Sequence, residues 1–170
     1  MKILKRDFPR IVKEYEPRIR RAAYLLTGSA EDAEALTEEV FVAAFSALGR
    51  FKGKSSVYTW LYGILLHRFK KALTARKRKL KFLNEAALAK ENKVAPSASD
   101  LLEKKELSKC LLEAVSSLPE KERVVLVSFY LEDLSYKEMA RMLKCPIGTI
   151  KSRLFYAKAR VREKLKHRGF

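Results

Sequence analysis

The sequence lacks any apolar stretch that approaches the roughly 18 residues needed for a membrane-spanning helix. Its first ten residues, MKILKRDFPR, contain no apolar core of the kind found in a secretory signal peptide. We therefore expect a soluble protein that remains in the cytoplasm.

Cysteine and histidine are almost absent. The chain has two cysteines, Cys110 and Cys145, and two histidines, His67 and His167. Neither their number nor their spacing fits a disulfide framework or a zinc site. We expect the cysteines to be small buried or half-buried side chains, and we predict no metal, no cofactor and no catalytic residue.

Acidic residues are scarce relative to basic ones. The 170 residues include 37 Lys and Arg against 20 Asp and Glu, which gives a net charge of +17 and a pI near 10.0. No acidic residue lies between Glu39 and Glu85. A membrane surface would also attract this charge, but a polymer dense in phosphates, such as a nucleic acid, is the partner that the composition favours.

The segment that begins at Ser135 has the pattern of two short helices separated by a turn. Ser135 and Glu138 form a capping-box sequence that predicts a helix start, and Pro146 predicts that this helix has ended by then. The helical pattern then resumes in a basic segment. Its apolar stripe comprises Ile150, Leu154, Ala157, Val161 and Leu165. This pattern is typical of a DNA-binding helix-turn-helix, and a solvated amphipathic hairpin is the alternative.

The chain is predicted to contain two helical domains joined by a linker. Helical periodicity covers residues 1 to about 80, large apolar residues become rare from about 84 to 100, and periodicity returns near Leu101. No strand-like alternation or internal repeat is evident. We predict an all-α protein with a small domain at 1–80, a flexible linker at 81–104 and a helix-turn-helix domain at 105–170.

The first domain begins with two predicted helices. The apolar face of the first is interrupted by Pro17, and Gly28 provides a C-terminal cap. Ser29 and Asp32 predict the start of the second helix. Its predicted buried stripe is Leu36, Val40, Phe41, Ala44, Phe45 and Leu48. Acidic residues crowd its first turns, where capping and solvation would explain them, but they also fit a protein–protein contact.

A long third helix is predicted from about Val57 to Lys79, inside the acid-free window. Its predicted buried stripe is Val57, Leu61, Ile64, Leu65, Phe69 and Leu73. The window interleaves basic and aromatic residues, which suits single-stranded nucleic acid because the charges follow the backbone and the rings receive unstacked bases. We expect Tyr62 and Phe69 in the core, and we place the site in the loop FKGKSS, where Gly53 permits close approach of the backbone.

Three segments together resemble bacterial sigma factors of the extracytoplasmic-function (ECF) type. They are DAEALTEEVFVAAFSAL, FKGKSSVYTWLYGIL and LPEKERVVLVSFYLEDLSYKEMARMLKCPIGTIKSRLFYAKARVREKL. The resemblance implies a subunit of RNA polymerase whose first domain binds core polymerase and melts the −10 promoter element. It further implies that the C-terminal helix-turn-helix reads the −35 element of promoter DNA. An anti-sigma partner, often anchored in a membrane, is also implied.

The resemblance assigns residues of this chain to three contacts. Core polymerase binding is assigned to Asp32, Glu34, Glu38 and Glu39. The −10 contact is assigned to Phe51, Lys54, Ser55, Ser56, Trp60, His67, Arg68 and Lys71. Base reading at −35 is assigned to Lys151, Ser152, Phe155 and Tyr156, with Thr149, Arg153 and Arg160 nearer to phosphates. The chain departs from the family pattern at Ala35, Gly63, His67 and Tyr156.

Two other functions are weighed against this one. A stand-alone helix-turn-helix regulator would use only the C-terminal half, and it would ordinarily form a dimer to read two half-sites. An enzyme acting on nucleic acid would need carboxylates, a metal cluster or an activated nucleophile facing the basic groove, and the acid-free window offers no acid. A sigma factor accounts for both basic segments, the linker and the acidic helix together.

Overall fold

The computed structural model describes residues 5–84 and 102–169. Every regular element in these two ranges is helical, which confirms the predicted all-α fold, and they group into two compact units. The first unit holds α1 (Phe8–Thr27) as far as Tyr24, α2 (Ala30–Ala47) and α3 (Val57–Asn84). The second unit holds α4 (Leu102–Ser116), α5 (Glu120–Tyr130), α6 (Tyr136–Leu143) and α7 (Ile147–Lys166).

Helix α1 is continuous across Pro17, so the predicted interruption is wrong. A proline inside a helix costs about 3 kcal/mol because it removes a backbone donor and crowds the preceding turn. Ile11 before it and Ile19 after it are both buried, and full burial of one such side chain contributes about 1.5–3 kcal/mol. Packing on both sides of Pro17 therefore outweighs the local cost. Gly28, with φ 73°, follows the helix end as predicted.

Helix α2 begins where the sequence predicts. The Oγ of Ser29 accepts a hydrogen bond from the backbone N–H of Asp32 at 3.2 Å. Its buried residues are Ala33, Leu36, Thr37, Val40, Phe41 and Ala44. The prediction that Phe45 is buried is wrong, since its side chain is 44% exposed. Its ring packs edge-on against Phe8, with 5.1 Å between centroids, and so covers the rim of the core rather than its centre.

Helix α3 packs against α2 and supplies a large share of the first core. Its buried residues are Tyr58, Leu61, Tyr62, Leu65, Leu66 and Phe69. The burial of Tyr62 and Phe69 confirms the prediction for these two aromatic residues. The predicted stripe also contained Val57, Ile64 and Leu73, which are only half-buried.

The buried face of α3 includes Tyr58 and Tyr62, and Tyr58 also contacts α1. The ring of Tyr15 lies 5.9 Å from that of Tyr58, and the Arg18 guanidinium carbon lies 3.7 Å from the centre of the Tyr58 ring. The helix also continues beyond the predicted Lys79 to Asn84. Residues 74–79 are all exposed, so this stretch of α3 has no buried face.

Helix α7 is the centre of the second unit. It contacts α4, α5 and α6, and it buries Ile150, Leu154 and Ala157 against them. Helix α5 contributes the continuous buried run Val124, Val125, Leu126, Val127 and Ser128. The apolar stripe predicted for α7 is confirmed for its first half, and its later members Val161 and Leu165 are half-buried.

The turn between α6 and α7 has the predicted form. Ser135 caps α6 in a complete capping box with Glu138, and Lys144, with φ 52°, closes the helix in the left-handed conformation. Pro146 immediately precedes α7. Cys145 in this turn is half-buried and Cys110 of α4 is buried, as predicted, and both are free thiols.

The predicted linker at 81–104 lies mostly outside the described residues. Residues 81–84 belong to the last turn of α3 and residues 102–104 to the first turn of α4. Within 5–84 and 102–169, no helix is both long enough and apolar enough to cross a membrane.

Candidate nucleic-acid interface

The face of α7 opposite its buried stripe is exposed and carries the residues predicted to read bases. Lys151 and Ser152 are exposed, and the aromatic side chains Phe155 and Tyr156 are 69% and 56% exposed. The two rings lie against each other, with 5.6 Å between centroids, and an exposed apolar patch of this kind often marks an interaction site. This face of α7 therefore combines a basic donor, a hydroxyl group and two aromatic edges, which are groups that can contact base edges in a major groove.

Two side chains near the start of α7 contact nearby residues, one in the first turn of the helix and one in the turn before it. The Oγ of Ser152 donates to the carbonyl of Thr149 at 3.1 Å, and Arg153 Nη1 lies 3.7 Å from the Sγ of Cys145. Thr149 and Arg153 are half-buried. Arg153 is thus held beside the turn, at the flank of the exposed face, which is where phosphates pass when a helix lies in the groove.

Arg160 has a partner that the sequence did not indicate. Its Nε lies 3.1 Å from Oε2 of Glu122 on α5, and the Glu122 side chain is only 15% exposed. The Arg160 side chain is 58% exposed, so the ion pair ties α7 to α5 and still leaves much of the guanidinium accessible. The assignment of Arg160 to phosphates stays a prediction.

The residues predicted for the −10 contact are divided equally between the loop before α3 and α3 itself. Trp60, His67 and Lys71 are separated by whole turns of the helix, opposite the buried side chains of Tyr62 and Phe69. Trp60 is half-buried, and His67 and Lys71 are exposed. Arg68 lies on the flank of this face, where its Nη1 is 4.0 Å from Oε2 of Glu39.

The loop before α3 brings one aromatic residue of the predicted site onto this face. The ring of Phe51 lies 5.0 Å from that of Trp60 at an interplanar angle of 44°. Lys54 and Ser55 are exposed, and Gly53 has φ 67°, a conformation that glycine adopts without strain. The loop, Trp60 and the exposed face of α3 thus form a continuous surface of rings and basic groups.

Ser56 has a structural role at this surface. Its Oγ accepts the backbone N–H of Thr59 at 3.0 Å and lies 2.8 Å from the Thr59 hydroxyl. These contacts cap the first turn of α3. Ser55 donates from its Oγ to the Ser56 carbonyl at 3.3 Å. Direct DNA contacts by either serine stay predictions.

The acidic residues of α2 are exposed together. They are the four that the resemblance assigns to core polymerase, Asp32, Glu34, Glu38 and Glu39, together with Glu31. Ala35 and Val42 are exposed on the same side of the helix, and Val42 is 68% exposed. The sequence analysis missed Val42, although its position one turn after Glu38 and two turns after Ala35 indicates this face. The exposed face of α2 is therefore a mixed acidic and apolar surface, which suits a protein partner better than a nucleic acid.

Comparisons with known proteins identify the family. The model of the sigma-70 region 2 family matches residues 11–79, and that of the sigma-70 region 4 family matches residues 108–161. The RNA polymerase sigma-H factor of Pseudomonas aeruginosa is 32% identical over 161 residues, which cover 91% of this chain and 83% of that protein. The ECF RNA polymerase sigma-E factor of Escherichia coli K12 is 30% identical over 167 residues, which cover 93% of this chain and 86% of that protein. The chain belongs to the ECF sigma factors.

Solved structures agree with this membership. The sigma factor RpoE of Bartonella quintana, crystallised in complex with the anti-sigma factor NepR, superposes with a TM-score of 0.77 and 25% identity. The match covers 94% of this chain and 97% of that one. CnrH, solved with the cytosolic domain of CnrY, has the same fold, with a TM-score of 0.67 and 19% identity over 96% and 90% of the two chains.

This membership settles the general activity of the protein. As an ECF sigma factor, the chain is an RNA polymerase subunit that acts in transcription initiation, and it binds DNA without being an enzyme. The alternative of an enzyme that acts on nucleic acid is therefore excluded. Among the residues that the structure describes, no cluster of three or more His, Cys, Asp or Glu side chains is arranged to hold a metal ion.

Proposed function

We propose that this sigma factor binds a promoter at two separate elements, one through each of its units. The observation that carries the proposal is that each unit presents one exposed face rich in basic and aromatic side chains, on α3 with its preceding loop and on α7. In domain terms, residues 1–80 would act at −10, residues 81–104 would link the domains, and residues 105–170 would act at −35.

Helix α7 is proposed to read the −35 element as duplex DNA. Lys151, Phe155 and Tyr156 project from the exposed face, so they can reach base edges in the major groove. Arg153 and Arg160 flank this face and are proposed to contact phosphates, which position the helix without reading sequence.

The first unit is proposed to bind the −10 element after it has melted. The ring pair Phe51 and Trp60 offers a stacking surface for an unpaired base, while Lys54 and Lys71 can follow the strand's phosphates. His67 lies on the same face and can stack or hydrogen-bond with a second base. Bases paired within a duplex are not available to such a surface, so this contact is proposed to form during opening.

The exposed face of α2 is proposed to bind core polymerase. Its carboxylates offer charge complementarity to a basic partner, and Val42 and Ala35 supply the apolar contact that such an interface buries at its centre. The structural relative from Bartonella quintana forms a complex with an anti-sigma factor. We propose that an anti-sigma partner, soluble or membrane-anchored, regulates this chain as well, and that the protein acts in the cytoplasm.

Reconstitution tests the proposal. The full chain is mixed with core RNA polymerase of the encoding organism and assayed for transcript formation on a randomised promoter library. We expect enriched promoters to share two separate motifs, one near −35 and one near −10, and substitutions in either motif should lower initiation. A stable homodimer that binds a palindrome and represses without polymerase would instead favour a stand-alone regulator.

A further inference from the structure

Two lysines of α7 rest on a row of aromatic rings from α5 and α6. The Nζ of Lys151 lies 5.8 Å from the centre of the Tyr136 ring. The Nζ of Lys158 lies 5.7 Å from the ring centre of Phe129 and 5.4 Å from that of Tyr130. These distances fall within the range of a cation–π interaction. Each lysine is thus associated with a different part of the row.

The Tyr136 ring is held by its own surroundings. Its ring stacks on Phe129 with 5.5 Å between centroids and an interplanar angle of 12°. Tyr136 is also the first residue of α6 and lies between Ser135 and Glu138, whose capping box fixes the backbone from which the ring projects. The ring is therefore positioned before any DNA is bound.

A lysine side chain ordinarily samples many rotamers, and it loses this freedom when it docks on a base. Lys151 lies at the edge of the exposed face of α7 that is next to Tyr136. A fixed ring at this edge restricts the Lys151 ammonium group to a small region beside the exposed face of α7. The lysine side chain then loses less rotamer freedom on binding. To reach a base at a different position, its ammonium group would have to move away from the Tyr136 ring.

We infer that Tyr136 is a positioning residue for sequence discrimination, because it holds the Lys151 ammonium group in place through its ring. The inference rests on the proposed reading of −35 DNA by α7. A cation–π contact at an exposed site is weak, so its loss should lower discrimination about two- to fivefold at the base pair that Lys151 contacts. Phosphate contacts elsewhere should be unaffected.

The test uses the full chain with core polymerase on promoters that carry every single-base change in the −35 motif. Tyr136→Phe should retain discrimination, because it keeps the ring. Tyr136→Leu should lower discrimination at one or two positions and leave the others unchanged. Tyr130→Leu is the matched control, since Tyr130 contacts Lys158 and not Lys151. It should leave the same positions unchanged.

A second variant separates the electrostatic attraction of the Tyr136 ring from its packing. Replacing Tyr136 with pentafluorophenylalanine keeps a ring of nearly the same shape but reverses the charge distribution on its face, so the attraction for the ammonium group is lost. This variant should behave as Tyr136→Leu. In a Lys151→Ala background, neither substitution should change discrimination further.

Several results would overturn the inference. They are an equal loss on all −35 variants, unchanged discrimination with the fluorinated ring, or the same effect of Tyr136→Leu with and without Lys151. If the wild-type holoenzyme itself showed no −35 preference, the proposed function would fail instead. The two failures are therefore distinguishable.

Discussion

Lys151 and Arg160 project from the same helix but have different surroundings. Lys151 lies on the exposed face beside Tyr136, whereas Arg160 is paired with a mostly buried carboxylate on α5. A base contact by Lys151 should specify sequence. We expect Lys151→Ala to cost about 1–3 kcal/mol of binding on the preferred −35 sequence and to relax discrimination at one or two positions. Holoenzyme binding to single-base −35 variants measures this, and an even loss over all variants would mean that the wrong face of α7 has been assigned.

Arg160 should contribute to affinity without selecting sequence. We expect Arg160→Ala to weaken binding to all −35 variants alike and to lower the slope of log K against log salt by about one, because one phosphate contact is lost. Glu122→Gln is the control, since it removes the ion pair but keeps the arginine. If both variants lower the unfolding temperature equally and neither changes the salt slope, Arg160 acts only in joining α7 to α5.

Phe51 should matter after the duplex has opened. Its ring lies against Trp60 at the surface, and each stacked base is worth about 1–3 kcal/mol. We therefore expect Phe51→Ala to reduce open-complex formation more than closed-complex binding. The measurement compares a duplex promoter with one that carries a pre-melted bubble at −10, and Tyr130→Ala serves as an exposed aromatic control. Similar closed- and open-complex defects on both templates would contradict a base-binding role.

Helix α2 combines acidic and apolar side chains on one exposed face, which predicts a loss of polymerase binding when its charge is reversed. We expect the double variant Glu38→Lys with Glu39→Lys to weaken binding to core polymerase, because the interface would lose charge complementarity. Stability should change little, since both residues are exposed. Glu14→Lys with Glu16→Lys on α1 makes the same change in net charge and is the control. Unchanged affinity of the α2 variant in a pull-down titration would remove this helix from the interface.

Helix α6 depends on a charged cap. Hydrogen bonds from the Ser135 hydroxyl at 2.6 Å and from its backbone N–H at 2.9 Å lower the pKa of Glu138 below its ordinary value of 4.5. Because the pKa is lowered in the folded state, the carboxylate stabilises the helix fully above its ordinary pKa of 4.5. This contribution is lost as the pH falls from 4.5 through the lowered pKa. We expect the amides at the start of α6 to lose hydrogen-exchange protection on acidification below about pH 4.5.

Two variants test this cap. Glu138→Gln should remove most of the acid dependence, whereas Glu163→Gln on α7 should leave it intact. Ser135→Ala should cost about 1 kcal/mol of local stability at neutral pH, as the loss of a serine cap usually does. An unaltered exchange profile in Glu138→Gln would show that other carboxylates govern the acid response.

Helix starts were predictable because their determinants are local. Ser29 and Ser135 cap the helices that they were expected to cap, since a hydroxyl and a backbone N–H three residues on require nothing from the rest of the chain. Pro17 was misjudged because burial of α1 on both sides depends on tertiary packing. Periodicity also placed Ile64 in the buried stripe of α3, where it is only half-buried, because the packing of α3 against α2 is a tertiary contact that spacing does not specify.

The candidate surfaces also differ in whether local pattern or tertiary packing determines them. The exposed residues of α7 and α2 were predictable because they lie opposite an apolar stripe. The pairing of Arg160 with Glu122 joins residues far apart in the sequence, and the stacking of Tyr136 on Phe129 depends on how the chain turns between α5 and α6. Neither spacing nor composition contains that information. The sequence therefore located the surfaces but not the contacts that orient their side chains.

Charge is distributed unevenly over the protein, and this has a measurable consequence for DNA binding. The chain carries +17, and the exposed residues at 74–79 lie in the stretch that contains no acid. A concentrated set of basic groups should release counterions from DNA at that place. We expect the free sigma factor to bind duplex DNA without sequence preference and to lose affinity steeply between 50 and 200 mM salt, as such contacts do.

Replacing Arg76, Arg78 and Lys79 with Gln should lower the slope of log K against log salt by up to about 3, because each lost phosphate contact removes about 0.9 from it. Arg10, Lys13 and Arg21 on α1 are also exposed, and their replacement with Gln makes the same change in net charge. Fluorescence anisotropy with a labelled duplex measures both slopes. A larger effect of the α3 substitutions would show that the end of this helix contacts DNA directly. If the two triple variants lower the slope equally, the attraction arises from the net charge as a whole, and the exposed residues 74–79 of α3 have no special part in it.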